Sequence, residues 1–273
     1  MKICLFYLVM FFSFSAAAEE IAKIPALYTV PGELKLMRTH AQGACAAKDA
    51  IYLSHRDGIF KLDRQGKFIK HISSPSHTGD ICFFNGRIYA AIALPDGNGE
   101  IREYSADLEE LRVKPLDFPI DGITVLNGFF YVGAGPNPAG LHRGNRLAVI
   151  PSDMSGIPQI IAIDHGEETR YGTQTMTTCG DWIFASFYGD KKRGMLSAFF
   201  DKSGNTVKTL KFNANYGFSE ATEFFQSKVP IFLRVVPLYR VSRRDEDPRY
   251  RIDFYKFEKG KLTNITLPEP AKF

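Results

Sequence analysis

The segment His77–Ala93, HTGDICFFNGRIYAAIA, constrains the fold more than any other part of the sequence. Apolar and polar residues alternate on both sides of Asn85-Gly86, as expected of strands with one buried face. Asn-Gly between two such runs is the strongest short-range signal for a β-hairpin, because both residues tolerate the positive φ of a type I′ turn. The segment therefore predicts two antiparallel strands joined at Asn85-Gly86.

The same hairpin unit recurs four more times along the chain. An aromatic residue marks the second strand of each unit, at Tyr52, Tyr89, Tyr131, Phe184 and Phe232, with intervals of 37, 42, 53 and 48 residues. A second, weaker pair of alternating segments follows each hairpin, with turns at Asp63–Gly66, Ala106-Asp107, Asp153–Gly156, Asp201–Gly204 and Glu258–Gly260. Four antiparallel strands repeated about every 40–50 residues are typical of propeller blades.

These repeats predict an all-β fold, a five-bladed β-propeller of four-stranded antiparallel blades. A six-bladed propeller is the runner-up, since residues 24–39 hold one or two strands outside the count. We expect this N-terminal stretch to pair with the last blade, because closing the ring removes exposed sheet edges. A β-sandwich of irregular strand pairs is less favoured, since it does not require the unit to recur in one order.

Residues 1–18 are predicted to be a secretory signal peptide. Lys2 gives the positive start, Ile3–Phe14 is apolar apart from Ser13, and Ala16-Ala17-Ala18 offers a cleavage site. The apolar run is too short to cross a membrane, so no membrane span is expected. We therefore predict that residues 19–273 form a single propeller domain, monomeric and soluble, that is periplasmic or secreted.

Charge and cysteine content narrow the possibilities further. The formal net charge of +4 is too small to argue for nucleic-acid binding. Outside the signal peptide the chain has Cys45, Cys82 and Cys179, each within an apolar run of a first strand. An odd number leaves at least one thiol unpaired, and the pairing of the other two stays open. We interpret all three as small core residues.

Polar residues near the start of the first strands form the candidate site. In a propeller these strands line the central channel, and its mouth is predicted to carry Gln42, His77, Asp80, Asp121, Gln174 and Glu220. Three carboxylates converging there could hold a calcium ion. Alternatively, Asp80 and His77 could act as a catalytic acid/base pair. A third interpretation is structural: the same residues cap strands and bridge neighbouring blades through hydrogen bonds.

Two long loops flank the predicted channel mouth. Gly133–Asn145 is rich in Gly and Pro and carries His142 and Arg143, while Pro237–Tyr250 mixes four arginines with three acidic residues. We expect His142, Arg143 and His165 to contribute to ligand binding, since guanidinium groups on this face could hold an anion. For Pro237–Tyr250 we favour simple surface pairing of the opposite charges.

The first repeat, AQGACAAKDAIYLSHRDGIFKLDRQGKFIKHI, resembles the opening blade of the bacterial and plant-type glutamine cyclotransferases, which are exported five-bladed propellers. The resemblance rests on Gln42-Gly43, Ile51-Tyr52 and the strand and turn Ile59–Gly66. It implies a channel-mouth acid that helps to cyclise an N-terminal glutamine, with Asp80 standing where the family has a glutamate. The family lines its pocket with several tryptophans, whereas this chain contains only Trp182.

Taken together, the sequence predicts an exported propeller that binds a small polar or anionic ligand in a polar pocket at the channel mouth. Acid/base catalysis of the hydrolase or cyclotransferase type extends this prediction. The alternative is a non-enzymatic scaffold that binds a protein partner through the loops 133–145 and 237–250. A Gly-rich phosphate loop, a Gly-x-Ser-x-Gly elbow and a His-Glu-x-x-His motif are all absent from the sequence.

Overall fold

A computed structural model describes residues 27–29, 41–63, 67–135, 141–188, 195–212, 222–225, 231–237, 249–258 and 261–264. Every regular element within these ranges is a β-strand. No helix in the described ranges is long and apolar enough to cross a membrane. The predicted signal peptide lies outside the described residues, so that assignment and the domain boundary after residue 18 stay predictions.

Two four-stranded antiparallel sheets come first. The first sheet contains β2 (Ala41–Ala46), β3 (Ala50–His55), β4 (Gly58–Asp63) and β5 (Phe68–Ser73). The second sheet contains β6 (His77–Phe84), β7 (Arg87–Ala93), β8 (Gly99–Ser105) and β9 (Glu110–Leu116). In both sheets the strands pair in chain order, so each is a simple meander, as the repeat predicts.

The middle of the chain forms one seven-stranded sheet. It contains β10 (Ile120–Leu126), β11 (Phe129–Ala134), β12 (Leu141–Pro151), β13 (Gln159–Cys179), β14 (Trp182–Tyr188), β15 (Met195–Phe200) and β16 (Thr206–Phe212). The long strand β13 pairs with β12 through its first part and with β14 through its last part. It therefore ends one four-stranded unit and begins the next.

The last sheet closes the ring. It contains β17 (Thr222–Phe225), β18 (Ile231–Pro237), β19 (Arg249–Glu258) and β20 (Lys261–Asn264), joined by the N-terminal strand β1 (Leu27–Thr29). The start of β19 pairs with β1 and its end pairs with β20, so the two ends of the chain share the outer position. The prediction that the N-terminal stretch pairs with the last repeat is confirmed.

The fold is a β-propeller, as predicted. The first strands β2, β6, β10, β13 and β17 contact one another in a closed cycle, since β17 contacts both β13 and β2. Hydrogen bonding separates the described strands into four sheets, because β13 joins two repeats into one. The number of blades, five or six, stays a prediction.

The hairpin turns follow the sequence signal. Asn85 and Gly86 have φ of 48° and 76°, and Asn127 and Gly128 have φ of 51° and 79°. Both residues of each pair lie in the left-handed region, as a type I′ turn requires. Pairing of Phe84 with Arg87 confirms that two residues form the first of these turns.

The hydrophobic core lies between facing sheets. Cys45 and Tyr52 of the first sheet pack with Ile81 and Ile88 of the second, all nearly inaccessible to solvent. The two halves of the seven-stranded sheet face each other in the same way, with residues of β11 and β12 in one cluster with residues of β14 and β15. Cys45 and Cys82 are buried in the hydrophobic core, as predicted, whereas Cys179 is only partly buried.

Two of the marker tyrosines also fasten neighbouring units together. The Tyr52 hydroxyl donates to the carbonyl of Ala106, in the turn between β8 and β9, at 2.7 Å. The Tyr131 hydroxyl donates to the carbonyl of Lys202, in the turn between β15 and β16, at 3.2 Å. Burial raises the pKa of both phenols, so each stays protonated and able to donate.

Replacing Tyr52 with Phe tests this fastening. The variant keeps the buried ring and loses the hydrogen bond to Ala106, so we expect the free energy of unfolding to fall by about 0.5–1.5 kcal/mol. Tyr89→Phe is the control, because the Tyr89 hydroxyl makes only a 3.4 Å contact, with Glu103 of its own sheet. Denaturant titration measures both, and equal stability of Tyr52→Phe and the wild type would show that the bond contributes nothing.

Candidate functional site

Each of the first four inner strands breaks its pairing register, β2, β6 and β10 near their starts and β13 where it begins to pair with β14. The irregularities lie between Ala41 and Gly43, Thr78 and Ile81, Ile120 and Ile123, and Arg170 and Thr175. The residues set out of register include Gln42, Asp80, Asp121 and Gln174, four of the predicted channel-mouth residues. A bulge bends the strand and re-aims a side chain, so the same device places a polar group at the same level of each strand.

Glycines beside these polar residues allow the inner strands to approach closely. A side chain at Gly43 would collide with the carboxylate and backbone of Asp80. A side chain at Gly79 would collide with Asp121 in the same way. At Gly122 an added Cβ would lie only 3.2 Å from Thr173 Cγ2. Each strand thus leaves room for the polar side chain of the next strand around the ring.

Asp80 occupies the centre of this arrangement. Its side chain is completely buried, and Oδ2 accepts the backbone N–H of Met176 at 2.7 Å and of Ile123 at 3.2 Å. These donors belong to β13 and β10, and Ser54 of β3 donates to the carbonyl of the neighbouring Gly79. Asp80 therefore joins the second sheet to both halves of the seven-stranded sheet.

These contacts match the structural interpretation of the channel-mouth residues. A carboxylate accepting two buried N–H groups replaces the strand pairing that the bulges remove. With none of its surface exposed, Asp80 contacts protein groups and not the open channel. Its predicted role as a catalytic acid/base residue stays a prediction, and the described contacts assign it a positioning role.

His77 and Asp121 form the accessible part of the site. His77 Nε2 lies 3.8 Å from Asp121 Oδ1, and 33% of the imidazole and 12% of the aspartate side chain are exposed. Asp121 Oδ1 itself is buried, and no described residue makes a hydrogen bond to it. The pair therefore combines a carboxylate largely removed from water with an imidazole that solvent or a ligand can reach.

Two threonine hydroxyls near this pair also have no hydrogen-bond partner among the described residues, Thr78 Oγ1 and Thr173 Oγ1. Thr78 directly precedes Gly79, against which Asp121 Oδ1 lies, and Thr173 contacts Gly122, the residue after Asp121. Neither threonine was predicted from the sequence, because a threonine in a strand is an ordinary β-former. The glycines next to Gln42, Asp80 and Asp121 were the only sequence signal for this region.

The remaining predicted site residues are divided between interior and undescribed positions. Gln42 is buried, and Gln174 Nε2 donates to the Gly172 carbonyl at 3.2 Å. His165 is also buried, with Nε2 2.9 Å from Asn145 Nδ2 and its ring 4.6 Å from that of Phe187. Its described contacts are therefore internal, and its role in ligand binding stays a prediction.

Three predictions concern side chains that the structure does not describe. His142 and Arg143 lie in β12 with undescribed side chains, and Glu220 lies outside the described residues. Among the described residues, no three His, Cys, Asp or Glu side chains come together to hold a metal ion. The calcium site, which needs Glu220 beside Asp80 and Asp121, stays a prediction.

His71 belongs to a separate aromatic cluster in the first sheet. Its ring stacks on Phe60 at 4.4 Å between centroids, and the ring of His55 meets the same Phe60 edge-on at 5.1 Å. Burial lowers the pKa of His71, and no described residue makes a hydrogen bond to its buried Nε2. The cluster therefore favours a neutral imidazole at this position.

No protein-family model matches the chain, and no curated protein sequence matches it. Among solved structures, glutaminyl cyclase from Myxococcus xanthus superposes with a TM-score of 0.57 and 10% sequence identity, over 89% of this chain and 96% of the enzyme. The GH43_1 enzyme from Xanthomonas citri superposes with a TM-score of 0.54 and 13% identity, over 92% of this chain and 97% of that one. These likenesses show the fold alone. The resemblance to the glutamine cyclotransferases is thus supported as a shared propeller fold.

Replacing Asp80 with Ala tests its positioning role. The variant leaves the N–H groups of Ile123 and Met176 without an acceptor. We therefore expect the free energy of unfolding to fall by about 1–3 kcal/mol for each group. Asp80→Asn keeps an oxygen acceptor and should lose less. Asp117→Ala, at an exposed position near the start of β10, is the control. Wild-type stability of Asp80→Ala in denaturant titrations would contradict the assignment.

His71 generates a pH-dependent prediction. Because its pKa is lowered in the folded state, the unfolded chain takes up a proton more readily as the pH falls below about 6.5. The contribution of His71 is therefore fully present above that pH and is lost as the pH falls. His71→Phe keeps the stacking on Phe60, so its stability should decline less from pH 7 to pH 5 than that of the wild type. Thermal unfolding at each pH measures the two declines. Equal falls in melting temperature for the two proteins from pH 7 to pH 5 would contradict this prediction.

Proposed function

We propose that the protein binds a small polar ligand at the channel mouth, in contact with His77 and Asp121. The observation that carries the proposal is the pairing of an accessible imidazole with a largely buried carboxylate 3.8 Å away. Polar groups removed from water without hydrogen bonds are unfavourable in a folded protein, and a ligand can supply the missing partners. Buried polar atoms without hydrogen bonds are therefore candidates for contact with a ligand.

The same pair has the composition of an acid/base catalyst. A carboxylate beside one nitrogen of an imidazole can orient the ring, which leaves the other nitrogen for the ligand. In this proposal the His77 imidazole transfers the proton, and the Asp121 carboxylate orients the imidazole ring. Asp80 acts indirectly, by holding the N–H of Ile123 two residues beyond Asp121.

The reaction type that we propose is hydrolysis or cyclisation. Two propellers with similar folds are named as enzymes, a glutaminyl cyclase and a GH43_1 enzyme, and both superpose over most of their length. At 10% and 13% identity they support a propeller of enzymatic type and leave the substrate undefined. Location in the periplasm or outside the cell, and a monomeric state, belong to the same proposal.

The alternative of a protein-binding scaffold depends on the long loops 133–145 and 237–250. Residues 136–140 and 238–248 of these loops lie outside the described residues. We therefore favour the ligand-binding proposal, whose principal residues, His77 and Asp121, are both described.

A ligand screen with matched variants tests the proposal. Small polar metabolites that bind the wild-type protein should bind His77→Ala and Asp121→Asn at least about tenfold more weakly, because each variant removes a polar partner. Asp117→Asn, which removes an exposed carboxylate near the start of the same strand, should bind like the wild type. Ligand-observed NMR or calorimetry measures the affinities. Ligands whose affinity is the same in all four proteins would place the site elsewhere.

A further inference from the structure

We infer that the ligand of the channel-mouth site is a small organic cation that carries an ammonium or guanidinium group. This inference rests on the proposed function and specifies the chemistry of the group that Asp121 contacts. The sequence predicted a polar or anionic ligand, whereas this inference specifies a ligand with a positive charge.

The surroundings of the Asp121 carboxylate favour a cationic partner. Its side chain is mostly buried, and Oδ1 is shielded from solvent with no hydrogen bond from any described residue. Among the described residues, His77 Nε2 lies 3.8 Å from Oδ1, which is beyond hydrogen-bond distance. A carboxylate in such surroundings gains most from a partner that brings both a positive charge and N–H donors.

The residues set around the bulges also favour a cation over an anion. The described residues set around the bulges, Gln42, Thr78, Asp80, Thr173 and Gln174, contribute amides, hydroxyls and a second carboxyl group. None of these five is lysine or arginine. A bound anion would be repelled by the Asp121 carboxylate, whereas a cation would be attracted to it.

Two threonine hydroxyls could accept further hydrogen bonds from such a cation. Thr78 Oγ1 and Thr173 Oγ1 are buried without hydrogen bonds to described residues, and each can accept an N–H. An ammonium group has three donors and a guanidinium group has five, so one carboxylate and two hydroxyls suit either group.

Four probes of similar size and different charge test the inference with the full chain. We would titrate n-propylammonium, methylguanidinium, propionate and propionamide into the wild-type protein, and follow binding by calorimetry and by backbone amide shifts. We expect both cations to bind with dissociation constants in the millimolar range, about tenfold or more tighter than propionate or propionamide. The amide shifts should be largest at Gly79, Asp121 and Gly122.

The variants separate this inference from the proposed function. Asp121→Asn should lose at least about tenfold in cation affinity, whereas Asp117→Asn should keep it. Tighter binding of propionate or propionamide, with shifts at the same amides, would overturn the inference and leave the polar-ligand site standing. Absence of shifts at these amides with every probe would overturn the inference. The proposed function would also fail if no metabolite in the wider screen depended on His77 or Asp121. Should Asp121→Asn not fold, the amide shifts of the wild-type protein decide the outcome.

Discussion

The hydrogen bonds of one buried carboxylate hold the centre of this propeller together. Asp80 Oδ2 accepts two backbone N–H groups from two other inner strands, at points where bulges interrupt ordinary strand pairing. β6 belongs to a different sheet from β10 and β13, so it needs a connection to them other than the strand ladder. A carboxylate that satisfies N–H groups from two strands supplies it, and hydrogen bonds to a charged acceptor are stronger than neutral ones.

Stability and the candidate site use the same local device. A bulge with a glycine beside a polar residue appears in successive inner strands, and the glycine of one strand accommodates the polar side chain of the next. Where the polar group is fully buried, as at Asp80, it connects strands. At Asp121 part of the side chain stays accessible, and Oδ1 accepts no hydrogen bond from a described residue. In our proposal the same structural pattern serves as a binding site at this position.

The sequence predicted the parts of the fold that depend on local chemistry. Asn-Gly pairs at the turns, alternation in the strands and the recurring aromatic residue led to the correct fold class and to closure by the N-terminal strand. Gln42, Asp80 and Asp121 lie at bulges of inner strands, and their grouping into one site stays a prediction. The sequence did not predict that Asp80 would be buried and connect strands while Asp121 stays accessible beside His77. That difference depends on bulges and glycine contacts between distant segments. The continuity of β13 across two repeats was missed for the same reason.

Closure of the ring joins the two ends of the chain. Leu27 of β1 pairs with Arg251 of β19, 224 residues later, so the first strand to be synthesised is among the last to find its neighbour. Contacts over such separations make folding slow, because the closure entropy is lost before the pairing is gained. Until β19 emerges, β1 has no strand to pair with and the ring stays open. Unpaired strand edges are sites at which a chain can pair with another chain, so the open ring is the state most exposed to such pairing.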